Sequence, residues 1–170
     1  MDSESQHVSG SAVTVRAAAD GDAPWVQQVL TASWGATRVA RLGELVDLEP
    51  LPKLVAEYGS EPAGLLTYLV DGDSWEIVTI DVTTPGVGAG AALLQAVSEL
   101  AREARARRIW LITTNDNTHA LRFYQRNGFD LVAIHRNAVA GARRLKPSIR
   151  LVGNDGIPIR HEIELELQLR

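Results

Sequence analysis

A glycine-rich stretch at residues 85–91 lies between an apolar run and a long amphipathic run. The apolar run, residues 75–82, is rich in β-branched side chains and predicts a strand. After the glycines, apolar residues recur at helical spacing from Leu93 to Ala104, which predicts a helix with one apolar stripe. Glycines in such a place let the backbone turn sharply and point N–H groups at a ligand beside the positive end of the helix dipole. The stretch therefore predicts a phosphate-binding loop, and a strand–helix turn without a ligand is the alternative.

The length, charge and hydrophobicity of the chain limit the class of protein to which this loop can belong. A length of 170 residues favours a single domain with a sizeable core. A net charge of -4 gives no electrostatic support for nucleic acid or an anionic membrane as a partner. No apolar run approaches the roughly 20 residues that a membrane-spanning helix needs.

The residue types exclude several kinds of chemistry. The chain has no cysteine, so disulfides, a thiolate nucleophile and cysteine-based zinc sites are excluded. No two of the four histidines have metal-ligand spacing, so we predict no metal site. Residues 1–11 are polar and acidic and lack a hydrophobic signal core. We therefore expect a flexible N-terminal tail at 1–11, one domain at 12–170 and a cytoplasmic protein.

Hydrophobic periodicity divides the chain before the glycines into strands and helices. A first strand is predicted at 12–17, a helix ends near Trp34, and a second helix is predicted at 38–46. Turn signals then separate three strands, at 51–58, 62–70 and 75–82, which predicts an antiparallel meander.

The chain after the long helix alternates between strands and short helices. The nearly continuous apolar run 108–114 is typical of a strand buried on both faces, and the preceding helix makes it parallel to 75–82. Helices are predicted at 118–127 and 138–145, with a strand at 129–135. Residues 162–169 alternate strictly, which predicts a strand with one wet face. We consider it a candidate edge strand, able to pair across a homodimer.

Two other nucleotide-binding motifs compete for the glycines. Gly86, Gly88 and Ala91 satisfy a dinucleotide fingerprint, and Asp116 is placed to act as its ribose-binding acid. That fingerprint normally opens a doubly wound sheet, whereas here an antiparallel meander precedes it and little chain follows. A nucleoside-triphosphate loop is excluded, because no Lys-Ser or Lys-Thr pair follows the glycines.

A second motif, from Asn117 to Phe129, has the pattern of Asn, then Ala120, then Tyr124, then Gly-Phe. Together with the glycine loop and the order of the elements, it resembles the GCN5-related N-acetyltransferase (GNAT) superfamily over about residues 13–169. One departure is Pro85, which stands where the family usually has Arg or Gln.

The resemblance implies a single α/β domain, with a mixed, mostly antiparallel, splayed sheet flanked by helices. It also implies transfer of an acetyl group from acetyl-coenzyme A (acetyl-CoA) to an amine in a ternary complex. The coenzyme would lie in the splay between strands 75–82 and 108–114. Its pantetheine arm would pair with backbone near Ile80 to Val82 and with Asn117, and its pyrophosphate would meet backbone amides of the glycine loop. Those amides belong to Gly86, Gly88, Ala89, Gly90 and Ala91.

The implied chemistry needs no protein nucleophile, because the amine attacks the thioester directly. Glu76 is the predicted base, since period two places it on the face of Ile80 and Val82. Asp81 is the second choice. Tyr124 is the predicted acid for the departing thiolate, because a phenol, whose ordinary pKa is about 10, stays protonated at neutral pH.

The acceptor side is less constrained by the sequence. Trp34 and Arg38 are the predicted substrate-binding residues, and both a small-molecule amine and a protein amine remain open as acceptors. Arg143, Arg144 and Lys146 form a basic cluster that is either a solvated face or a contact for an acidic group. A non-catalytic module that senses acyl-CoA is the alternative function.

Overall fold

The computed structural model describes residues 12–170; the predicted N-terminal tail, residues 1–11, lies outside the described residues. The described chain forms nine strands and four α-helices. The strands are β1 (Val13–Ala17), β2 (Arg38–Arg41), β3 (Glu44–Asp47), β4 (Lys53–Tyr58), β5 (Glu61–Asp71), β6 (Ser74–Val82), β7 (Arg108–Thr114), β8 (Asp130–His135) and β9 (Glu162–Gln168). The helices are α1 (Ala23–Trp34), α2 (Ala89–Glu103), α3 (Thr118–Arg126) and α4 (Ala138–Leu145).

Seven of these strands form one sheet in the order β1-β4-β5-β6-β7-β9-β8. All neighbouring pairs are antiparallel except β6 and β7, which are parallel and are joined through α2. The predicted antiparallel meander is therefore confirmed as β4, β5 and β6. The predicted single α/β domain with a mixed, mostly antiparallel sheet is also confirmed.

The helix predicted at residues 38–46 is wrong, because this segment is the β2–β3 hairpin. Its turn, Leu42 and Gly43, has positive φ angles of 47° and 76°. Two consecutive left-handed residues match the twist of a tight hairpin and cannot continue a helix. The four-residue strands on each side were too short for their alternation to outweigh the helical pattern.

The edge position expected for residues 162–169 is also wrong. Strand β9 pairs with β7 on one side and β8 on the other, so it has no free edge for pairing across a dimer. The edge strand at this end of the sheet is β8, and it exposes the apolar side chains of Leu131, Val132 and Ile134.

The two faces of the sheet carry separate apolar cores. Helices α2 and α3 cover one face, where Leu93, Val97 and Tyr124 pack against the sheet. Helix α1 and the β2–β3 hairpin cover the other face, around Leu30 and Val78. Among residues 12–170, no helix has both the length and the apolar character that a bilayer crossing requires.

Replacing Leu93 with alanine is expected to destabilise the fold by about 2–5 kcal/mol, because the side chain is fully buried and its loss leaves a cavity. Leu100, on the same helix, is 37% exposed, and Leu100→Ala is expected to cost about 1 kcal/mol or less. Urea unfolding of the two variants measures the difference, and equal losses would contradict this packing of α2.

Candidate active site

Strands β6 and β7 part after a short parallel ladder. They pair only through Ser74 with Arg108, Trp75 with Ile109, and Glu76 with Trp110. Beyond this point, no strand of the described residues pairs with β6 on its β7 side. A cavity of about 120 Å³ lies in the resulting wedge. The splay predicted between these strands is thus present.

A β-bulge changes the face on which the β6 side chains lie. The register with β5 passes from Thr79 to Ile77, so Val78 is an extra residue. Glu76 bonds to Arg41 of β2 and Asp81 bonds to Trp34 of α1, so both carboxylates lie on the α1 face.

The residues of β6 that were predicted to share a face with Glu76 lie on the opposite one. Ile80 packs against the core under α2, and Val82 lies beside Gly90 of the same helix. The period-two placement of Glu76 with Ile80 and Val82 is therefore wrong, because the bulge interrupts the alternation.

The glycine turn has the backbone geometry of an anion cradle. Gly86 and Gly88 have φ angles of +82° and +85°, and no other atom lies within 4 Å of the place where a Cβ would stand on either residue. Gly88 caps α2, and its carbonyl accepts the first helical hydrogen bond, from Ala92 N at 3.1 Å. The N–H groups of residues 89–91, which come before Ala92 in the helix, therefore have no helical carbonyl to bond and are left for a ligand or water. An anionic group fits this helix end.

Asn117 directs its amide group into the wedge. Its Oδ1 accepts a hydrogen bond from Ala120 N at 3.1 Å and so caps α3. Asn117 also lines the 120 Å³ cavity. Because the cap occupies the oxygen, the Nδ2 group is the part of this side chain left to donate to a ligand.

Tyr124 of α3 is buried in the apolar core between this helix and the sheet. Its ring makes edge-to-face contacts with Phe123 and Phe129, at centroid distances of 5.3 and 5.5 Å. Burial, and secondarily the negative charge of Asp81, raise the pKa of the Tyr124 hydroxyl above its usual range. The phenol therefore stays protonated at neutral pH and can only act as a proton donor or hydrogen-bond partner there.

Glu76 forms a buried ion pair with Arg41. The Nε and Nη2 atoms of Arg41 donate to the two carboxylate oxygens, each at 2.6 Å, and Glu76 is 2% exposed. The Arg41 guanidinium also lies 5.8 Å from the ring centroid of Trp110. Both carboxylate oxygens of Glu76 are therefore occupied by Arg41, a partner that the sequence did not identify.

Asp81 lies behind the indole of Trp34. The Trp34 Nε1 group donates to its Oδ2 at 3.2 Å. Burial raises the pKa of the Asp81 carboxyl above its usual range, and hydrogen bonds from Ser33 and Trp34 oppose that shift. Trp34, predicted to contact substrate, is thus positioned by a carboxylate of β6.

A larger cavity of about 410 Å³ adjoins the wedge on the α1 face. It shares Trp34 and Glu162 with the 120 Å³ cavity. Arg38, the second residue predicted to contact substrate, lines neither cavity, and its carbonyl accepts a hydrogen bond from Lys146 Nζ at 2.8 Å.

Two members of the basic cluster, Arg143 and Lys146, bind backbone carbonyls. Lys146 donates to the carbonyl of Arg38, and Arg143 donates to the carbonyls of residues 149, 150 and 159.

The segment 146–160 covers the larger cavity and is held by two side chains of the β7–α3 turn. Asn115 Oδ1 accepts from the backbone N–H groups of Arg160 and His161, both at 2.9 Å. Asp116 Oδ2 accepts from the backbone and side chain of Asn154, at 3.1 and 3.0 Å. The carboxylate of Asp116 also stands where a Cβ on Gly153 would lie. Asp116 is therefore an anchor for this cover, which argues against its role as a ribose-binding acid.

A further groove of about 550 Å³ runs along α3 beside the start of α2. Ala91, His119, Arg122 and Arg126 line it. The two arginines were not identified from the sequence, although their i, i+4 spacing places them on one helix face. They add positive charge next to the glycine turn. No cluster of potential metal ligands occurs within residues 12–170.

Comparisons with known proteins agree with this geometry. A model of the acetyltransferase (GNAT) family matches residues 23–129. The uncharacterized protein YdhI of Bacillus subtilis (strain 168) is 44% identical over 131 residues, which cover 76% of this chain and 82% of that protein.

Two solved structures share the fold. A Bacillus subtilis acetyltransferase in complex with CoA superposes with a TM-score of 0.71 at 22% identity, covering 93% of this chain and 99% of the other. Arabidopsis thaliana Naa50, in complex with the bisubstrate analogue CoA-Ac-MVNAL, gives a TM-score of 0.68 at 17% identity, covering 92% and 99%.

Asp81→Asn is expected to make the fold more stable than the wild type at neutral pH, with a difference that shrinks as the pH falls. The raised pKa of Asp81 means that the folded state binds more protons than the unfolded state, so ionisation of Asp81 lowers stability as the pH rises. Asparagine removes that ionisation and keeps an oxygen for Trp34. Urea unfolding at about pH 4 and about pH 7.5 measures both differences. A difference that is independent of pH would contradict this prediction.

Proposed function

Since the chain belongs to the acetyltransferase (GNAT) family, we propose that it transfers an acetyl group from acetyl-CoA to an amine by direct attack in a ternary complex. The observation that carries the proposal is the wedge between β6 and β7, which opens beside the glycine turn at the start of α2. The wedge supplies unpaired strand backbone, and the turn supplies free N–H groups.

Acetyl-CoA would bind along these two features as a co-substrate. The backbone amides of Gly86, Gly88 and residues 89–91 would hold the pyrophosphate, with Arg122 and Arg126 at the side. The pantetheine arm would pair with β6 backbone near Ile80 to Val82 and accept a hydrogen bond from Asn117. The CoA bound to the Bacillus subtilis acetyltransferase and the CoA analogue bound to Naa50 support this ligand class.

The acetyl transfer then needs a neutral amine, a site for the developing oxyanion and a proton for the thiolate. A backbone N–H of β6 near Ile80 to Val82 would hold the oxyanion. Tyr124 would give its proton to the departing sulfur. Glu76 as the base stays a prediction, and its bidentate pair with Arg41 leaves it poorly suited to accept a proton.

The acceptor would enter through the 410 Å³ cavity on the α1 face. Both a small-molecule amine and a protein amine are compatible with a fold that is shared by a protein bound to a CoA–peptide analogue. Because Trp34 lines both cavities, the part of the acceptor that carries the amine would have to pass this side chain to reach the wedge.

Asn117→Asp is expected to weaken acetyl-CoA binding about tenfold, because it removes a donor worth roughly 1.4 kcal/mol. Aspartate keeps an oxygen for the cap of α3, so the melting temperature should stay near that of the wild type. Isothermal titration with acetyl-CoA measures the affinity. Unchanged affinity would remove Asn117 from the proposed coenzyme site.

Tyr124→Phe is expected to lower kcat by about 100-fold or more, the usual contribution of a positioned acid, with acetyl-CoA affinity unchanged. The measurement is release of thiol from acetyl-CoA, first by the wild type against a panel of aliphatic, aromatic, polyamine and peptide amines. The exposed Tyr58 offers a matched control, since Tyr58→Phe should leave the rate unchanged.

Three outcomes of that assay bear on the proposal. If the wild type binds acetyl-CoA but no amine in the panel releases thiol, a coenzyme-binding module without catalysis is favoured. If acetyl-CoA does not bind, both functions are rejected. If Tyr124→Phe is as active as the wild type, Tyr124 is not the acid.

A further inference from the structure

We propose that Glu162, the first residue of β9, accepts the proton that the acceptor's ammonium group must lose before it attacks the thioester. This inference rests on the proposed function, because it names a group that acts in that reaction. A simple alkyl ammonium has a pKa of about 10 and has no lone pair until a base removes a proton.

Glu162 lies where the two cavities of the α1 face meet. It lines both the 120 Å³ wedge cavity and the 410 Å³ cavity, although the residue itself is only 2% exposed. Both cavities also share Trp34, Val39, Ala40 and Thr114. An amine that fills the larger cavity and reaches into the wedge therefore passes the Glu162 carboxylate.

One oxygen of Glu162 is free to accept a proton. Its Oε2 accepts a hydrogen bond from Leu42 N at 2.8 Å, whereas Oε1 accepts none from within residues 12–170. The other carboxylate that lines the wedge cavity, Glu76, has both oxygens bonded to Arg41. Of these two carboxylates, only Glu162 can accept an amine proton without breaking an ion pair.

Burial and the neighbouring charges act in opposite directions on the Glu162 carboxyl. The titratable or charged groups that face it or line its two cavities are Arg41 of β2, Glu76 of β6, His135 of β8, Lys146 directly after α4, and Arg150 of the covering segment. Burial raises the pKa of Glu162, opposed by the Leu42 N–H and by the positive charges of His135 and Arg41. A base is most effective when its pKa approaches the working pH, and burial moves Glu162 in that direction.

The walls of the larger cavity indicate the class of amine. Trp34, Val39, Val139, Ile149 and Ile159 contribute apolar surface. Apolar walls bind an apolar body, and the buried carboxylate at the inner end binds the cationic head. The acceptor we infer is therefore a primary amine whose nitrogen is attached to a compact apolar group.

Glu162 and Tyr124 together balance the protons and electrons of the transfer. The ammonium gives one proton to Glu162 and becomes a neutral amine, whose lone pair forms the new C–N bond at the thioester carbonyl. The C–S bond breaks, and the thiolate takes the proton of Tyr124. The remaining excess proton on nitrogen restores Tyr124, and Glu162 releases its proton to solvent.

The test uses Glu162→Gln in the full chain. Glutamine has the same shape and keeps an oxygen for Leu42 N, so the melting temperature and acetyl-CoA affinity should match the wild type. With the best amine of the panel, kcat/KM at neutral pH should fall about 100-fold or more. The ascending limb of the pH profile should move upward to the pKa of the free amine, because the variant then depends on amine that is already neutral.

Two further variants separate this role from a structural one. Glu166→Gln alters the same face of β9. It removes the ion pair with Arg108 and changes an exposed contact with Gln168, lines neither cavity, and should keep the wild-type pH profile. Glu76→Gln breaks the pair with Arg41 and should lower stability while keeping the ascending limb.

The outcomes are distinct from those that test the proposed function. An active wild type together with an unchanged Glu162→Gln profile overturns this inference alone. Loss of the ascending limb in Glu76→Gln, but not in Glu162→Gln, also overturns it and assigns the base to Glu76. A wild type that binds acetyl-CoA and acetylates no amine overturns the proposed function, and this inference with it.

Discussion

The site depends on one constraint, the point at which β6 and β7 separate. The two strands share three residue pairs, at residues 108–110 of β7, whereas β7 pairs with β9 over all seven of its residues, so residues 111–114 pair with β9 alone. Because β7 is hydrogen-bonded to β9 over its whole length, β7 can diverge from β6 and still keep its pairing with β9. Unpaired strand amides carry a free-energy cost unless water or a ligand bonds to them. The bulge at Val78 lies in the same stretch and presents Glu76 and Asp81 to the α1 face, while Ile80 faces α2.

The parts of this arrangement that follow from local pattern were predictable from the sequence. The stripe from Leu93 to Ala104 identified α2, and the alternation between turn signals identified the meander. The helix wrongly predicted at 38–46 failed for the local reason given above, namely strands of only four residues, whereas the contacts within the site depend on partners distant in the chain. The bulge at Val78 lies between Glu76 and Asp81, and no glycine or proline in this strand marks the residue at which the alternation shifts. Arg41 pairs with Glu76 across 35 positions, and Leu42 with Glu162 across 120, so neither contact leaves a local signal.

The buried charges of the α1 face serve geometry more than stability. A buried ion pair such as Arg41 with Glu76 returns little net stabilisation, because desolvation offsets most of the attraction. The pair does fix the short β2–β3 hairpin over β6, because Arg41 belongs to β2 and Glu76 to β6. Arg41 also lies against Trp110 of β7, which adds a second contact between the hairpin and the sheet. The bond from Leu42 N to Glu162 ties the same hairpin to β9. The hairpin, through Val39 and Ala40, is thereby held in place as a wall of the 410 Å³ cavity.

The way in which segment 146–160 is attached has a consequence for divergence among related chains. Asn115 and Asp116 bind mainly its backbone, and these two anchors lie in the β7–α3 turn, directly before Asn117 of the wedge. Side chains of the cover that face the cavity, such as Ile149 and Ile159, can therefore be exchanged without losing the anchors. Under the proposed function, acceptor preference can therefore evolve by substitution in this one segment, while the residues proposed to bind the acyl donor stay unchanged.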